Sequence, residues 1–273
     1  MSDAGAPPSC FPTEVYEEII QWVPLGIRLP SKKSVEDHPE IRLSCLCSCA
    51  LTCRAWLPAS RACLYKSISF LSDDKTSLER FVRSLDTNPW LGTLVVYLNV
   101  YDLFPRRQAA LLPPPRDTIL TTWAPMLAGK LPSLHTLQVG FVDHLSRHLL
   151  FIKCMRSFSA ITTLVLDLSY LPTFADLLRF LTSFPKLQTV SSTRAIQWPV
   201  RGSIPPMRPD RFPAISRLFL RMILLPTSLG KRHVAHMLLN ITRDSVRVLG
   251  IRSTFGCPSP IGRPPVCNVF LQM

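Results

Sequence analysis

The chain alternates short apolar triplets with amphipathic stretches. An apolar-x-x-apolar-x-apolar spacing recurs at Tyr65/Ile68/Phe70, Val95/Leu98/Val100, Leu134/Leu137/Val139, Ile161/Leu164/Leu166, Ile215/Leu218/Leu220 and Val246/Leu249/Ile251, with Leu187/Val190/Ser192 departing at its last member. At 47% hydrophobic content such a triplet arises by chance at about one position in ten, so its placement carries the argument and its count does not. The middle positions are separated by 30, 39, 27, 26, 28 and 31 residues. A near-regular period of this length is the mark of stacked strand-helix units, none of which can bury its apolar face alone.

Between the triplets lie helix candidates with start signals. Thr76-x-x-Glu79 reads as a capping box before Leu78, Phe81, Val82 and Leu85, and Thr173-x-x-Asp176 as a similar start before Leu177, Leu178 and Leu181. Asp117 is placed to cap a helix holding Ile119, Leu120 and Trp123, while Val234, Leu238 and Ile241 carry helical spacing farther on. Four triplets are entered through one recurring tetrapeptide, Leu131-Pro132-Ser133-Leu134, Phe158-Ser159-Ala160-Ile161, Phe184-Pro185-Lys186-Leu187 and Phe212-Pro213-Ala214-Ile215. This stretch resembles an irregular leucine-rich repeat, although the asparagine of the strict consensus is missing and no asparagine ladder is expected. Pro113-Pro114-Pro115 and Pro205-Pro206 read as rigid surface loops. The final residues 253–273, rich in proline before Val266, are expected to form an irregular tail.

The first quarter follows a different pattern. Pro12 suits the first position of a helix and Glu14 its first turn, where the dipole favours a carboxylate. Val15, Ile19, Trp22 and Val23 fall on one face, Ile20 widens the stripe, and Pro24 is expected to end the helix. Residues 25–39 read as an exposed loop, a second helix runs from about Glu40 to Thr52 or Cys53, and Pro58 opens a short third helix leading to the strand-like Ser67-Ile68-Ser69-Phe70.

Taken in order, Phe11-Pro12-Thr13-Glu14-Val15, Ile19-Ile20, Leu51-Thr52-Cys53-Arg54-Ala55-Trp56 and Leu64-Tyr65-Lys66-Ser67-Ile68 resemble the F-box signature, Leu-Pro-x-Glu, then Val-Cys-Arg-x-Trp, then aromatic-basic-x-Ile. Phe11 stands where leucine is usual, Thr52 where valine is usual, and the loop between the first two helices is longer than the family normally has. The resemblance implies an α/β chain of three parts: a three-helix F-box over residues 11–68, an irregular leucine-rich-repeat-like α/β solenoid with a parallel sheet over 69–252, and the tail. It further implies a substrate-recognition subunit of a Skp–cullin–F-box ubiquitin ligase, which binds a Skp-type adaptor, and through it a cullin, and presents a protein target without itself being an enzyme. Phe11, Pro12, Val15, Ile19, Ile20, Leu51, Cys53 and Trp56 are then expected to supply the adaptor-facing and core surfaces, which the sequence leaves undivided. In solenoids recognition residues usually lie on the strand face, here Asn99, Gln138, Asp167 and Arg217 among others; the target itself stays unknown.

Charge adds a second axis. The net charge of +13 is graded: residues 1–40 carry −4, residues 41–193 carry +7 and residues 194–273 carry +10. Such a surface can meet nucleic acid or acidic protein. The lack of an RNP-like motif, of zinc-finger spacing and of an interleaved arginine-aromatic stripe argues against nucleic acid. No signal-like start and no uninterrupted apolar run of membrane-spanning length is present, so the expectation is an intracellular protein of the cytoplasm or nucleus with no membrane insertion. The odd count of nine cysteines fits free thiols.

Cys45, Cys47, Cys49 and Cys53 invite a zinc reading. A structural zinc site needs four ligands converging from turns, usually through C-x-x-C. On one helix Cys45, Cys49 and Cys53 share a stripe and Cys47 points elsewhere, so the four read as small packing residues. His144-x-x-x-His148 lacks the glutamate and third ligand of a zinc protease, His233-x-x-His236 fares no better, and no nucleophile elbow or phosphate-cradling loop is present. No cofactor or metal is expected. The alternatives are a repeat scaffold for protein–protein interaction whose first helices are only a cap, and a basic nucleic-acid binder.

Overall fold

The computed structural model describes residues 12–26, 39–71, 74–101, 119–140, 149–167, 174–192, 213–222, 248–254 and 266–272. The chain divides into two compact units, Met1–Ile68 and Ser69–Met273.

The first unit holds three helices, α1 (Thr13–Gly26), α2 (Pro39–Thr52) and α3 (Leu57–Lys66), each in contact with the other two. The expected stop at Pro24 does not occur, and α1 runs two residues further. Proline removes one N–H and crowds the carbonyl four residues before it, so its cost falls on the preceding turn and the two residues after Pro24 can keep helical dihedrals. Pro58 lies in the first turn of α3, where its missing N–H leaves no bond unmade.

The second unit is α/β. Strands β1 (Ser67–Leu71), β2 (Tyr97–Tyr101), β3 (Thr136–Gly140), β4 (Thr163–Asp167), β5 (Thr189–Ser192), β6 (Arg217–Met222), β7 (Val248–Thr254) and β8 (Val266–Gln272) form one sheet in sequence order. The pairs from β2 to β7 are parallel, a six-stranded parallel run. The described helices are α4 (Lys75–Thr87), α5 (Leu91–Leu94), α6 (Ile119–Leu127), α7 (Leu149–Met155) and α8 (Phe174–Leu181). The C-terminal stretch expected to be an irregular tail instead carries β8, antiparallel to β7, with Val269 opposite Ile251 and Leu271 opposite Leu249. Its apolar residues suit a strand, and that pattern outweighs the prolines upstream.

The middle residues of the triplets are Cα partners across the sheet: Leu98 with Leu137, then Leu164, Val190, Leu218 and Leu249. Side chains alternate along a strand, so one row points to one face. Leu98, Val100, Leu137, Val139, Leu164, Leu166, Val190 and Leu218 are all buried, and with Leu78, Phe81, Leu85, Leu177 and Leu178 of the helices they make the core. An aromatic chain runs through the helical side: Trp123 meets Phe151 and Phe158, each at 5.8 Å between ring centres, Phe151 stacks on Phe180 at 6.2 Å, and Phe180 meets Phe184 edge-on at 5.3 Å. Such offset and edge-on pairs are the favourable geometries for aromatic rings.

Three of the four tetrapeptides are turns of one kind; of the fourth, Phe212 lies outside the described residues and Ile215 donates its N–H to the Pro213 carbonyl at 2.8 Å. Leu134, Ile161 and Leu187 donate their backbone N–H to the carbonyls of Leu131, Phe158 and Phe184 at 3.2–3.3 Å, and both ends of each turn are buried. Each delivers the chain into a shared backbone ladder. The carbonyl of Val96 accepts from the N–H groups of His135 and Thr136, that of His135 from Thr162 and Thr163, that of Thr162 from Gln188 and Thr189, and that of Gln188 from Ser216 and Arg217. Every acceptor is the residue just before a strand, and a carbonyl oxygen has two lone pairs to offer.

The capping box expected at Thr76 is displaced. Asp74 is the N-cap of α4 and accepts from the backbone N–H of Ser77 at 3.0 Å, so Thr76 lies inside the helix. Asp117, Thr173 and the helix expected around Val234, Leu238 and Ile241 lie outside the described residues.

Candidate functional site

The three-helix unit sorts the residues that its sequence left undivided. Ile20 is fully buried, and with Leu46 and Cys49 it forms a small core against which Trp56, Ala59, Cys63 and Leu64 pack. Tyr16, one turn before Ile20, reaches the Trp56 ring at 6.1 Å between centres. The buried side of α1 therefore runs through Tyr16 and Ile20.

Val15, Ile19 and Trp22 lie on another side of α1 and are exposed, Trp22 by 61%. Three members of the stripe that the periodicity singled out, Val15, Ile19 and Trp22, thus face outward, the side chain of the fourth, Val23, lies outside those described, and the residue that merely widened the stripe is the core residue. On α2, Leu43 and Leu51 are exposed as well, Leu51 by 86%, eight residues apart with exposed Cys47 between them. Residues spaced four apart share a helix face, so Leu43, Cys47 and Leu51 form a second apolar stripe turned away from Leu46 and Cys49. Among the described residues, the large hydrophobic side chains that stand exposed are these five together with Trp90 and Phe219 of the second unit.

Of the eight residues singled out in the sequence, Val15, Ile19 and Leu51 are in that exposed set, and Pro12 and Cys53 are exposed as well. Ile20 belongs to the core, Trp56 is half-buried against it, and Phe11 lies outside the described residues. Trp22 and Leu43 were not singled out for this surface. Their exposure could not be read from their types, only from where α2 and α3 pack.

Polar atoms of α2 are satisfied locally. The Ser48 hydroxyl donates to the Ser44 carbonyl at 3.0 Å and that of Thr52 to the Ser48 carbonyl at 2.9 Å, so Thr52 spends its hydroxyl within its own helix. Cys49 is buried, and burial, with Cys45 next in importance, pushes its thiol above the usual value. Cys47 and Cys53 are exposed and Cys45 is half-buried, so the four cysteines do not face a common point. Cys53 was expected to pack with Cys45 and Cys49, but it sits just past the last residue of α2, at the turn that leads to Trp56. Among the described residues no three of His, Cys, Asp or Glu gather as metal ligands would, and no helix is long and apolar enough to cross a membrane. His144, His148, His233 and His236 lie outside the described residues.

On the sheet of the second unit, the face opposite the core carries Tyr97, Asn99, Thr136, Gln138, Thr163, Val165, Thr189 and Ser191, half-buried, followed by the exposed Arg217 and Phe219. Asn99 and Gln138 are Cα partners, and the Tyr97 hydroxyl donates to Gln138 Oε1. The Asn99 Oδ1 atom is buried without a hydrogen-bond partner. Asp167 pairs with Gly140 at the far end of β4. No protein-family model matches the chain, and no curated protein matches its sequence.

Proposed function

We propose that this protein is a substrate-recognition subunit of a Skp–cullin–F-box ubiquitin ligase: the three-helix unit is the F-box that joins a Skp-type adaptor, and the second unit is an irregular leucine-rich-repeat-like solenoid that holds a protein target on its strand face. The observation that carries the reading is the exposure of five large apolar side chains, Val15, Ile19 and Trp22 on α1 and Leu43 and Leu51 on α2. A helical module whose small core is already closed by Ile20, Leu46 and Cys49 has no internal use for five further large apolar side chains. The order of Pro12, Glu14, Arg54 and Trp56 in the sequence supports the same assignment.

In this role the chain makes and breaks no bond. Holding a target near a ubiquitin-loaded partner enzyme raises its effective concentration there, and the second encounter becomes effectively intramolecular. The chain therefore needs two surfaces of opposite character: an apolar one for a constant partner and a polar one for a chosen target.

The test is co-purification of the full chain with a Skp-type adaptor. The native chain is expected to bind, and variants carrying Val15→Glu or Ile19→Glu are expected to lose about tenfold or more in affinity. Failure of the native chain to bind, or equal binding by the charged variants, leaves a repeat scaffold whose first helices are only a cap.

A further inference from the structure

The helices of the second unit end on the side where its strands begin. α6, α7 and α8 stop at Leu127, Met155 and Leu181, and β3, β4 and β5 start eight or nine residues later, at Thr136, Thr163 and Thr189. The strands are parallel, so each helix runs back against them, and helix ends and strand entries share one rim of the sheet. The ion pair between Lys130 and Asp86 brings the last turn of α4 to the same rim.

The rim is cationic. Between residues 119 and 219 the described lysine and arginine side chains are Lys130, Lys153, Arg156, Arg179, Lys186 and Arg217, and all but Lys130, which pairs with Asp86, are exposed. Each lies in the last turn of a helix, in the stretch joining helix to strand, or at the first residue of a strand. The sequence bounds the opposing charge wherever it lies: residues 119–222 hold twelve bases and four acids, Asp143, Asp167, Asp176 and Asp210. Cations complement the negative end of a helix dipole, which accounts for Lys153, Arg156 and Arg179. That reason does not reach Lys186, in the turn before β5, or Arg217 on β6. Two residues past Arg217, on the same face of the strand, stands Phe219, exposed, with the small residues Ser191 and Gly250 as its Cα partners. The sequence carries no run of interleaved arginine and aromatic residues; folding assembles one from three successive units.

We propose that this rim binds single-stranded nucleic acid, its phosphates held by Arg156, Lys186 and Arg217 in the field of Lys153 and Arg179, with a base stacked on Phe219. Neighbouring strands stand about 4.8 Å apart, so the cations of three units fall within reach of a few consecutive nucleotides. A basic track beside an exposed aromatic ring suits such a strand, because every link carries a charge and every base has a face to stack. The ring decides between polyanions: the carboxylates of an acidic peptide use the cations and leave Phe219 without a role. The site does not depend on the adaptor reading, which concerns the other unit.

The experiment measures fluorescence anisotropy of a labelled oligothymidylate with the full chain, beside a glutamate-glycine peptide of matched charge. The oligonucleotide is expected to bind at low salt. Neutralising about four phosphates sets a slope of about −3 on logarithmic axes, a loss of about sixtyfold between about 50 and 200 mM salt. Lys186→Glu with Arg217→Glu is expected to weaken binding about tenfold or more and to flatten the slope by about one or more. Phe219→Ala is expected to weaken it about tenfold with the slope unchanged, because stacking releases no counterion. Lys75→Glu makes the same charge change about 16 Å along α4 from Asp86 and is expected to have a much smaller effect. Should the charge-reversed pair melt below the native chain, Lys186→Gln with Arg217→Gln gives the same reading with a smaller loss. No binding at low salt, unchanged affinity in the charge-reversed pair or in Phe219→Ala, or an equal loss in Lys75→Glu overturns the proposal. A glutamate-glycine peptide that binds tighter than the oligonucleotide, and is lost with the same pair, also overturns it and assigns the rim to an acidic protein. Adaptor binding is measured on the same variants and is expected to stay unchanged, so a failed F-box and a failed rim give different results.

Discussion

Gly92 lies directly against the carbonyl oxygen of Lys130, so close that a Cβ at this position would overlap it. Glycine is a poor helix former, yet it stands inside the short helix α5, and the space left by its missing side chain is what lets the turn after α6 approach. The obstacle is backbone and cannot swing aside. Gly92→Ala is therefore expected to destabilise the second unit by about 1–3 kcal/mol despite the better helix propensity of alanine, read as a lower urea midpoint at unchanged slope.

Ile19 and Ile20 are neighbours with opposite surroundings, and their variants are expected to separate. Ile20→Ala opens a cavity beside Leu46 and Cys49 and is expected to cost about 2–5 kcal/mol. Ile19→Glu changes an exposed position and is expected to stay within about 0.5 kcal/mol of the native stability while removing adaptor binding. Thermal melts set beside adaptor titrations check both halves. A large loss of stability in Ile19→Glu contradicts the surface assignment.

Asp74 ties its stability to pH. The Ser77 hydroxyl first, then the Ser77 backbone N–H, hold its carboxyl below the usual carboxylate value, with a smaller contribution from Arg80. With the folded value below the unfolded one, the unfolded chain takes up the proton first on acidification. The contribution is therefore complete above the unfolded value and is lost as pH falls through the folded one. Asp74→Ala is expected to cost about 0.5–2 kcal/mol at neutral pH, and the difference from native is expected to shrink to little below the carboxylate range. Denaturation curves of both chains across acid and neutral pH measure it.

Trp123 is fully buried, and its Nε1 has no hydrogen-bond partner. Trp123→Ala is expected to cost about 3–5 kcal/mol, since it removes the ring that meets Phe151 and Phe158. Trp123→Phe keeps an aromatic ring and removes the unsatisfied donor, so it is expected to cost about 1 kcal/mol or less. Unfolding in guanidinium with a probe other than tryptophan fluorescence checks the ranking.

Much of the second unit was legible in the sequence because a strand face repeats every two residues and a unit of about thirty residues repeats its apolar triplet. Leu98, Leu137, Leu164, Val190, Leu218 and Leu249 were marked by spacing alone, and they meet in register. β8 was obscured because composition upstream weighed more than the apolar triplet Val266, Val269 and Leu271. The cap of α4 was misplaced because Asp74 and Thr76 are both good capping residues and only the backbone decides between them. In the three-helix unit the sequence singled out Val15, Ile19 and Leu51 together with the core residue Ile20, left them undivided, and passed over Trp22 and Leu43. Ile19 and Ile20 are about 100° apart on the helix, and which of them is buried depends on where the other helices dock.

The ladder at the strand entries is framed by main-chain atoms, with each acceptor one residue before its strand, and the Thr162 and Ser216 hydroxyls add side-chain donors only at the carbonyls of His135 and Gln188. A joint built from groups that every residue possesses is indifferent to mutation at Val96, His135, Thr162 and Gln188, provided proline is kept from the donor positions. The frame and its lettering are therefore inherited separately: the connections can lengthen and the outward side chains can be rewritten for a new partner while the strands keep their alignment.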